Sequence, residues 1–357
     1  MECKKKKSNA IKVLIVDDSA FMRKVLSEMI DSEESLVVIG TATDGKDALL
    51  KISLLNPDVI TLDVEMPIMD GINCLQEIMQ RFPKPVIMLS SGTDHGAELT
   101  IKALDEGAVD FIAKPKNIFD IKNDKKRNEI IEKITIANNI SFKSSKTNIT
   151  NIDNSDILIQ NNTVLKNIIA IGSSTGGPKA LQSVIPYLPG DIPAAILIVQ
   201  HMPPGFTHTL AERLDAKSKL VVKEAIHREK VLTGHVYIAP GDYHMLLEVT
   251  AKGDILINLD KSPPVCGHRP SVDVMMSSLS DTGLKNIIGV ILTGMGADGS
   301  SGVKKLKEKN KSFIIAQDEE TSVVYGMPKM AVQTGMVDKV VSLDKISEVI
   351  IQFLGVR

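Results

Sequence analysis

The chain has 357 residues, a length that suits two domains of ordinary size better than one. Hydrophobic residues make up 43% and charged residues 24%, and 42 basic against 44 acidic side chains leave a net charge of −2, which argues against wholesale disorder and against a chain built to coat nucleic acid or a membrane surface. Aromatic residues are 3% with no Trp, so stacking platforms for bases are scarce, and three scattered cysteines (Cys3, Cys74, Cys266) without a CxxC pair support neither a disulfide framework nor a zinc ribbon.

Behind Lys4–Lys7 the first apolar run, residues 11–16, is too short for a signal peptide and ends in two aspartates. No stretch approaches a membrane span, so the expectation is a cytoplasmic chain without membrane insertion. Residues 21–30 have helical spacing with Ser19 as a cap. Strand-like runs follow at 36–39, 59–62, 86–89 and 109–112, separated by helical patterns opened by Asp44, by Asp70-Gly71 and around 99–104, with a last helix near 124–137. Five β-runs each followed by a helix predict a parallel sheet covered on both faces.

Residues 138–163 change character: Asn, Ser, Thr and Lys dominate, Gly and Pro are absent, and this stretch reads as a polar linker. It would separate a first domain over 10–137 from a second over 164–357. The second α/β pattern opens with a strand at 167–171, the turn Gly172-Ser173-Ser174-Thr175-Gly176-Gly177-Pro178 and a helix to about Tyr187. A strand at 195–199 ends in Gln200-His201-Met202-Pro203-Pro204. Runs at 235–238, 245–249 and 255–258 look like an antiparallel insert. A buried strand at 287–292 then leads into Thr293-Gly294-Met295-Gly296-Ala297-Asp298-Gly299 and another helix. The predicted fold class is therefore α/β, with two doubly wound domains, the second mainly parallel with an antiparallel insert.

In the first domain, Asp17 and Asp18 follow the first strand, Asp63 the third, Ser90 ends the fourth and Lys114 the fifth. In a parallel sheet all five converge on the carboxyl edge, where open α/β sheets place ligands. Three clustered carboxylates call for a cation, and hard oxygen ligands favour Mg²⁺. Beside a metal and Lys114, Asp63 has the chemistry of a nucleophile toward a phosphoryl group.

Val16-Asp17-Asp18-Ser19, Leu62-Asp63-Val64-Glu65-Met66-Pro67 with Asp70-Gly71, Ser90-Ser91 and Phe111-Ile112-Ala113-Lys114-Pro115 occur in order, and residues 11–137 resemble a response-regulator receiver domain. The resemblance implies phosphorylation of Asp63 by a chemotaxis histidine kinase. It also implies Mg²⁺ held by Asp18, Asp63 and the Glu65 carbonyl with Asp17 assisting through water, a switch pair in Ser90 and Phe111, and a cis peptide before Pro115 that aims Lys114.

In the second domain, Ser174 sits in a glycine-rich strand-to-helix turn that fits G-x-S-x-G. His201 ends the next strand and Asp298 a later one, so nucleophile, general base and orienting acid are all available at one sheet edge. The chain order Ser, His, Asp disfavours an ordinary α/β-hydrolase. A rival reading exists: Gly294-Met295-Gly296-Ala297-Asp298-Gly299 matches G-x-G-x-x-G and is followed by a strand at 313–316 and Asp318-Glu319-Glu320, nearly a dinucleotide-binding fingerprint. A DNA-binding output domain is a second alternative, disfavoured by the even charge and the want of a basic recognition helix.

Residues 167–355 resemble the catalytic domain of the chemotaxis-type protein-glutamate methylesterase, on the Ser174 and His201 segments together with Tyr237-Ile238-Ala239-Pro240-Gly241-Asp242, His268-Arg269-Pro270-Ser271-Val272-Asp273 and residues 292–299. The resemblance implies a Ser174–His201–Asp298 triad with the Met295 N–H in the oxyanion site, no cofactor in that domain, and methyl-accepting chemoreceptors as substrate. It implies removal of methyl esters from receptor glutamates and deamidation of receptor glutamines, with the receiver covering the cleft until Asp63 is phosphorylated. Ser173 and Ala297 stand where the family commonly has Ala and Asn.

Overall fold

The computed structural model describes residues 10–114, 124–140 and 165–356. The chain divides into two compact units, Met1–Asn148 and Ile149–Arg357. Nearly all of the expected linker (residues 141–163) and the peptide before Pro115 lie outside the described residues.

The first unit alternates β1 (Ile11–Val16), α1 (Ala20–Asp31), β2 (Leu36–Ala42), α2 (Gly45–Leu55), β3 (Val59–Asp63), α3 (Gly71–Arg81), β4 (Val86–Ser90), α4 (Asp94–Asp105), β5 (Asp110–Ala113) and α5 (Asp124–Asn138). The strands pair in parallel in the order β2-β1-β3-β4-β5. Every residue of β3 and β4 is buried, as expected for strands covered on both faces. The helix starts follow from side-chain chemistry. Ser19 accepts from the Met22 N–H, Asp44 from Lys46 and Asp47, and Asp70 from Asn73, each satisfying donors that have no partner within the helix. Strand order reverses at β1, so the carboxyl ends of β1 and β3 flank a topological switch point.

The second unit contains β6 (Asn167–Ser173), α6 (Gly177–Gln182), β7 (Ala194–Gln200), α7 (Phe206–Asp215), β8 (Val221–Glu224), β9 (His235–Ile238), β10 (His244–Val249), β11 (Ile255–Asp260), α8 (Val272–Ser280), β12 (Asn286–Ile291), α9 (Ser300–Asn310), β13 (Phe313–Gln317), α10 (Met327–Gln333), β14 (Lys339–Val341) and α11 (Ile346–Leu354). Seven strands form a parallel sheet in the order β14-β13-β12-β6-β7-β9-β8. Its switch point is β6, flanked by β7 and β12. The apolar core against it includes Ile168, Leu197, Tyr237, Met275, Met276 and Leu306.

Two expectations need correction. The antiparallel insert is two strands, β10 with β11, while residues 235–238 join the main sheet in parallel between β7 and β8. The helix after Ser174 ends at Gln182 rather than Tyr187, and a 3₁₀ turn at Ile185–Tyr187 carries Pro186, which has no N–H to extend a helix.

Candidate active site

In the first unit Asp17 and Asp63 are buried and Asp18 is exposed, and one oxygen from each lies within 4.8 Å of the others. Lys114 Nζ stands 2.8 Å from Asp17 Oδ2 and 2.6 Å from Asp63 Oδ2. Burial pushes the Asp63 carboxyl up to about 6, against the downward pull of Lys114 and of the Glu65 N–H. Burial likewise opposes the Lys114 charge, but its two carboxylate partners outweigh it and hold the ammonium above its ordinary 10.5. Three carboxylates against one ammonium leave excess negative charge on hard oxygen donors, a set that fits a divalent cation such as Mg²⁺.

The Ser90 hydroxyl is buried and donates to the Gly96 carbonyl at 3.3 Å, and the Lys114 N–H donates to the Ser90 carbonyl at 2.8 Å. Phe111 is buried, with Lys133 Nζ 5.1 Å from its ring centroid and 2.6 Å from its carbonyl oxygen. The Glu65 side chain is exposed and accepts from Ser91 Oγ at 3.4 Å.

In the second unit the carboxyl ends of β6, β7 and β12 gather the predicted residues. Ser173 pairs in register with Gln200, and the His201 N–H donates to the Ser173 carbonyl at 3.1 Å, so Ser174 and His201 leave adjacent strands side by side. On the other flank the Ser174 N–H donates to the Thr293 carbonyl at 3.1 Å. A Cβ on Gly294 would lie 2.9 Å from Ser174 Cβ and 3.0 Å from Ser174 N, so only glycine lets this loop approach the serine so closely.

Gln200 fixes the serine turn from beneath. Its buried amide accepts from Ser173 Oγ at 2.7 Å and donates to the Ser174 carbonyl at 2.9 Å. A Cβ on Gly177 would collide with the same amide. The Ser173 hydroxyl thereby has its partner in Gln200.

Asp298 is 2% exposed and fully engaged. It accepts from His201 Nε2 at 2.8 Å, Ser271 Oγ at 2.8 Å, the Val272 N–H at 2.7 Å and the Asp273 N–H at 2.9 Å. Burial opposes its charge, but His201 and the N–H groups at the start of α8 outweigh that penalty and lower its pKa below 3.8. With Nε2 taken by Asp298, His201 Nδ1 is buried and, among the described residues, has no hydrogen-bond partner. The His201 ring also stacks on His268, with centroids 3.8 Å apart and planes 7° from parallel.

Asp273 returns the brace: its carboxylate accepts from the Gly299 N–H at 3.0 Å and the Gly302 N–H at 2.6 Å. That contact bears on the dinucleotide reading. The N–H groups that would cradle a pyrophosphate at the start of α9 are held by a protein carboxylate, and Asp298 inside the loop serves α8 and His201. The G-x-G-x-x-G match is therefore a turn that carries an acid, not a phosphate cradle.

A family model described as CheB methylesterase matches residues 169–350, and one described as response regulator receiver domain matches residues 13–124. The chain belongs to the CheB methylesterase family. A protein-glutamate methylesterase/protein-glutamine glutaminase of Syntrophomonas wolfei is 48% identical to it over 96% of this chain and 99% of the relative, and a protein of the same name from Pyrococcus horikoshii is 46% identical over 96% and 93%. The crystal structure of the Thermotoga maritima CheB methylesterase catalytic domain is similar to the second unit, with a TM-score of 0.51, 46% identity, and coverage of 54% of this chain and 99% of that one.

Membership of the CheB methylesterase family, with a receiver match in front, does not favour either alternative output. Four further residues organise this sheet edge: Gln200, His268, Ser271 and Asp273. Three of them lie in the quoted His268–Asp273 motif, and Gln200 directly precedes His201, so their positions were visible although their partners were not. Ala297 is exposed at the loop tip, its carbonyl accepting from the Ser300 N–H at 3.1 Å. Among the described residues no helix is long and apolar enough to cross a membrane.

Proposed function

We propose that the chain hydrolyses methyl esters on glutamate side chains of methyl-accepting chemoreceptors and deamidates receptor glutamines, under control of phosphorylation at Asp63. The observation that carries the reading is the buried His201–Asp298 bond beside Ser174, with the second ring nitrogen of His201 left as an acceptor.

Asp298 receives the Nε2–H, which fixes the tautomer and leaves Nδ1 unprotonated. Nδ1 takes the Ser174 proton as Oγ attacks the ester carbonyl. The tetrahedral oxyanion forms against the loop after Gly294, where the Met295 N–H serves as donor. Collapse breaks the carbon–oxygen bond to the methoxy group, whose oxygen takes the proton of the His201 imidazolium and leaves as methanol. Water, deprotonated by His201, then cleaves the acyl-enzyme to glutamate and Ser174. With a glutamine side chain the leaving group is ammonia and the remaining steps are the same. Oxyanion donors of this kind contribute about 3 kcal/mol of transition-state stabilisation.

In the receiver, Asp17, Asp18 and Asp63 would hold Mg²⁺, together with the Glu65 carbonyl. The ion, when bound, supplies charge neutralisation for phosphoryl transfer. Asp63 offers the attacking carboxylate to phosphoryl groups from a histidine kinase, and Lys114 orients and neutralises it. Ser90 and Phe111 are the switch pair that reports modification to the second unit, within domains spanning 10–137 and 164–357 and joined by residues 138–163.

Incubating the full chain with methylated receptor, with and without acetyl phosphate, tests the reading. Methanol should appear, and appear faster with the phosphodonor; Ser174→Ala should abolish it and Asp63→Asn should remove only the acceleration. Methanol release that survives Ser174→Ala would overturn the assignment.

A further inference from the structure

We infer that His268 is a positioning residue for catalysis, a flat lid against His201 that sets the plane of the general base. This rests on the reading of Ser174, His201 and Asp298 given above.

A hydrogen bond at Nε2, which lies close to the Cβ–Cγ axis, tethers one ring atom and leaves the imidazole free to turn about that axis. Nε2 of His201 is tied to Asp298 Oδ2, but among the described residues Nδ1 has no hydrogen-bond partner, so hydrogen bonding alone does not define the ring plane. The missing constraint is steric. The His268 ring centroid lies 3.8 Å from that of His201 with the planes 7° from parallel, and turning the His201 ring about Cβ–Cγ would drive one of its edges into that face.

A lid is useful only if it is itself held. His268 exchanges two backbone hydrogen bonds with Val265, its N–H donating to the Val265 carbonyl at 2.9 Å and its carbonyl accepting from the Val265 N–H at 3.1 Å. The next residue, Arg269, is anchored through Nε to Asp242 Oδ1 at 3.1 Å and through Nη1 to the carbonyls of Lys261 and Ser262, both at 2.9 Å. Two residues further on, Ser271 and the Val272 and Asp273 N–H groups grip Asp298. One segment, residues 268–273, therefore sets both the acid that orients His201 and the surface that flattens it. Proton transfer depends steeply on such alignment, and a misplacement of 1 Å can cost about 100-fold in rate.

The test compares three substitutions in the full chain with methylated receptor as substrate. His268→Phe keeps a flat ring, His268→Leu fills the volume without one, and His268→Ala removes both. The expected result is kcat within about threefold of the parent for Phe and lower by about 10- to 100-fold for Leu and Ala, with KM unchanged in all three. Where Ala lowers folding yield, the Phe–Leu pair carries the comparison. Equal kcat in Phe and Leu, or a loss expressed in KM rather than kcat, would overturn the proposal. His201→Ala in parallel separates the two levels: activity that survives it refutes the relay itself, whereas activity lost there but untouched in His268→Leu refutes only the lid.

Discussion

Replacing Asp298 with Asn probes the catalytic edge most sharply, because the amide matches the carboxylate in shape and changes only charge and donor pattern. The carboxylate accepts four hydrogen bonds, with His201 Nε2 and the Val272 N–H on Oδ2 and with Ser271 Oγ and the Asp273 N–H on Oδ1. An amide nitrogen in the Oδ2 position would face the Val272 N–H and force His201 into the tautomer protonated on Nδ1, which removes the base. An amide nitrogen in the Oδ1 position keeps the tautomer, since the Ser271 hydroxyl can turn to accept, but it strands the Asp273 N–H. Either arrangement leaves one buried N–H unsatisfied, at a cost of about 1–3 kcal/mol in stability. Either also removes the negative charge facing the imidazolium. At roughly 4 Å and an effective dielectric of about 20 that interaction is worth about 4 kcal/mol, or about 10³-fold in rate. Methanol release from methylated receptor at saturating substrate, with urea unfolding alongside, measures both effects. A loss below tenfold with unchanged stability would refute the reasoning.

Further outcomes follow from the same contacts. The Asp298 pKa is lowered in the folded chain, so its contribution to stability is present above 3.8 and is lost as pH falls through the lower folded value. The stability difference between the parent and Asp298→Asn, read from urea melts, should therefore narrow as pH drops below 3.8. Gly294→Ala would press a methyl group to within 3.0 Å of the Ser174 backbone nitrogen, and it should lower kcat by about 100-fold while methanol assays show little change in KM. Removing residues 1–163 should raise basal methanol release, and a fall would show that the receiver activates without restraining.

The receiver edge was legible almost entirely from sequence, because four of the five β-runs lead into a polar residue at the carboxyl edge: Asp17 after β1, Asp63 at the end of β3, Ser90 at the end of β4 and Lys114 after β5. The capping aspartates at 44 and 70 and Ser19 were legible for a related reason, since a helix start needs acceptors that only a few side chains supply. Ser174, His201 and Asp298 were likewise visible as polar residues beyond buried strands. Strand partnership was not. Residues 235–238 are followed closely by two further short strands, a spacing that suits a hairpin, yet β9 crosses to pair in parallel with β7 and β8. Strand β8 is only four residues and is held from outside its own sequence pattern: Asp215 Oδ1 accepts from the Val222 N–H, and Glu224 accepts from Thr207 Oγ1. The grip of residues 268–273 on Asp298 and His201 depends on side chains meeting from distant segments, which local periodicity does not encode.

The most direct measurement is the site of covalent attack. The full chain treated with a serine-directed organophosphonate and mapped by mass spectrometry should carry one adduct, on Ser174, and His201→Ala should abolish it. An adduct on another residue, or one on Ser174 that forms equally well without His201, would contradict a serine activated by the His201–Asp298 pair.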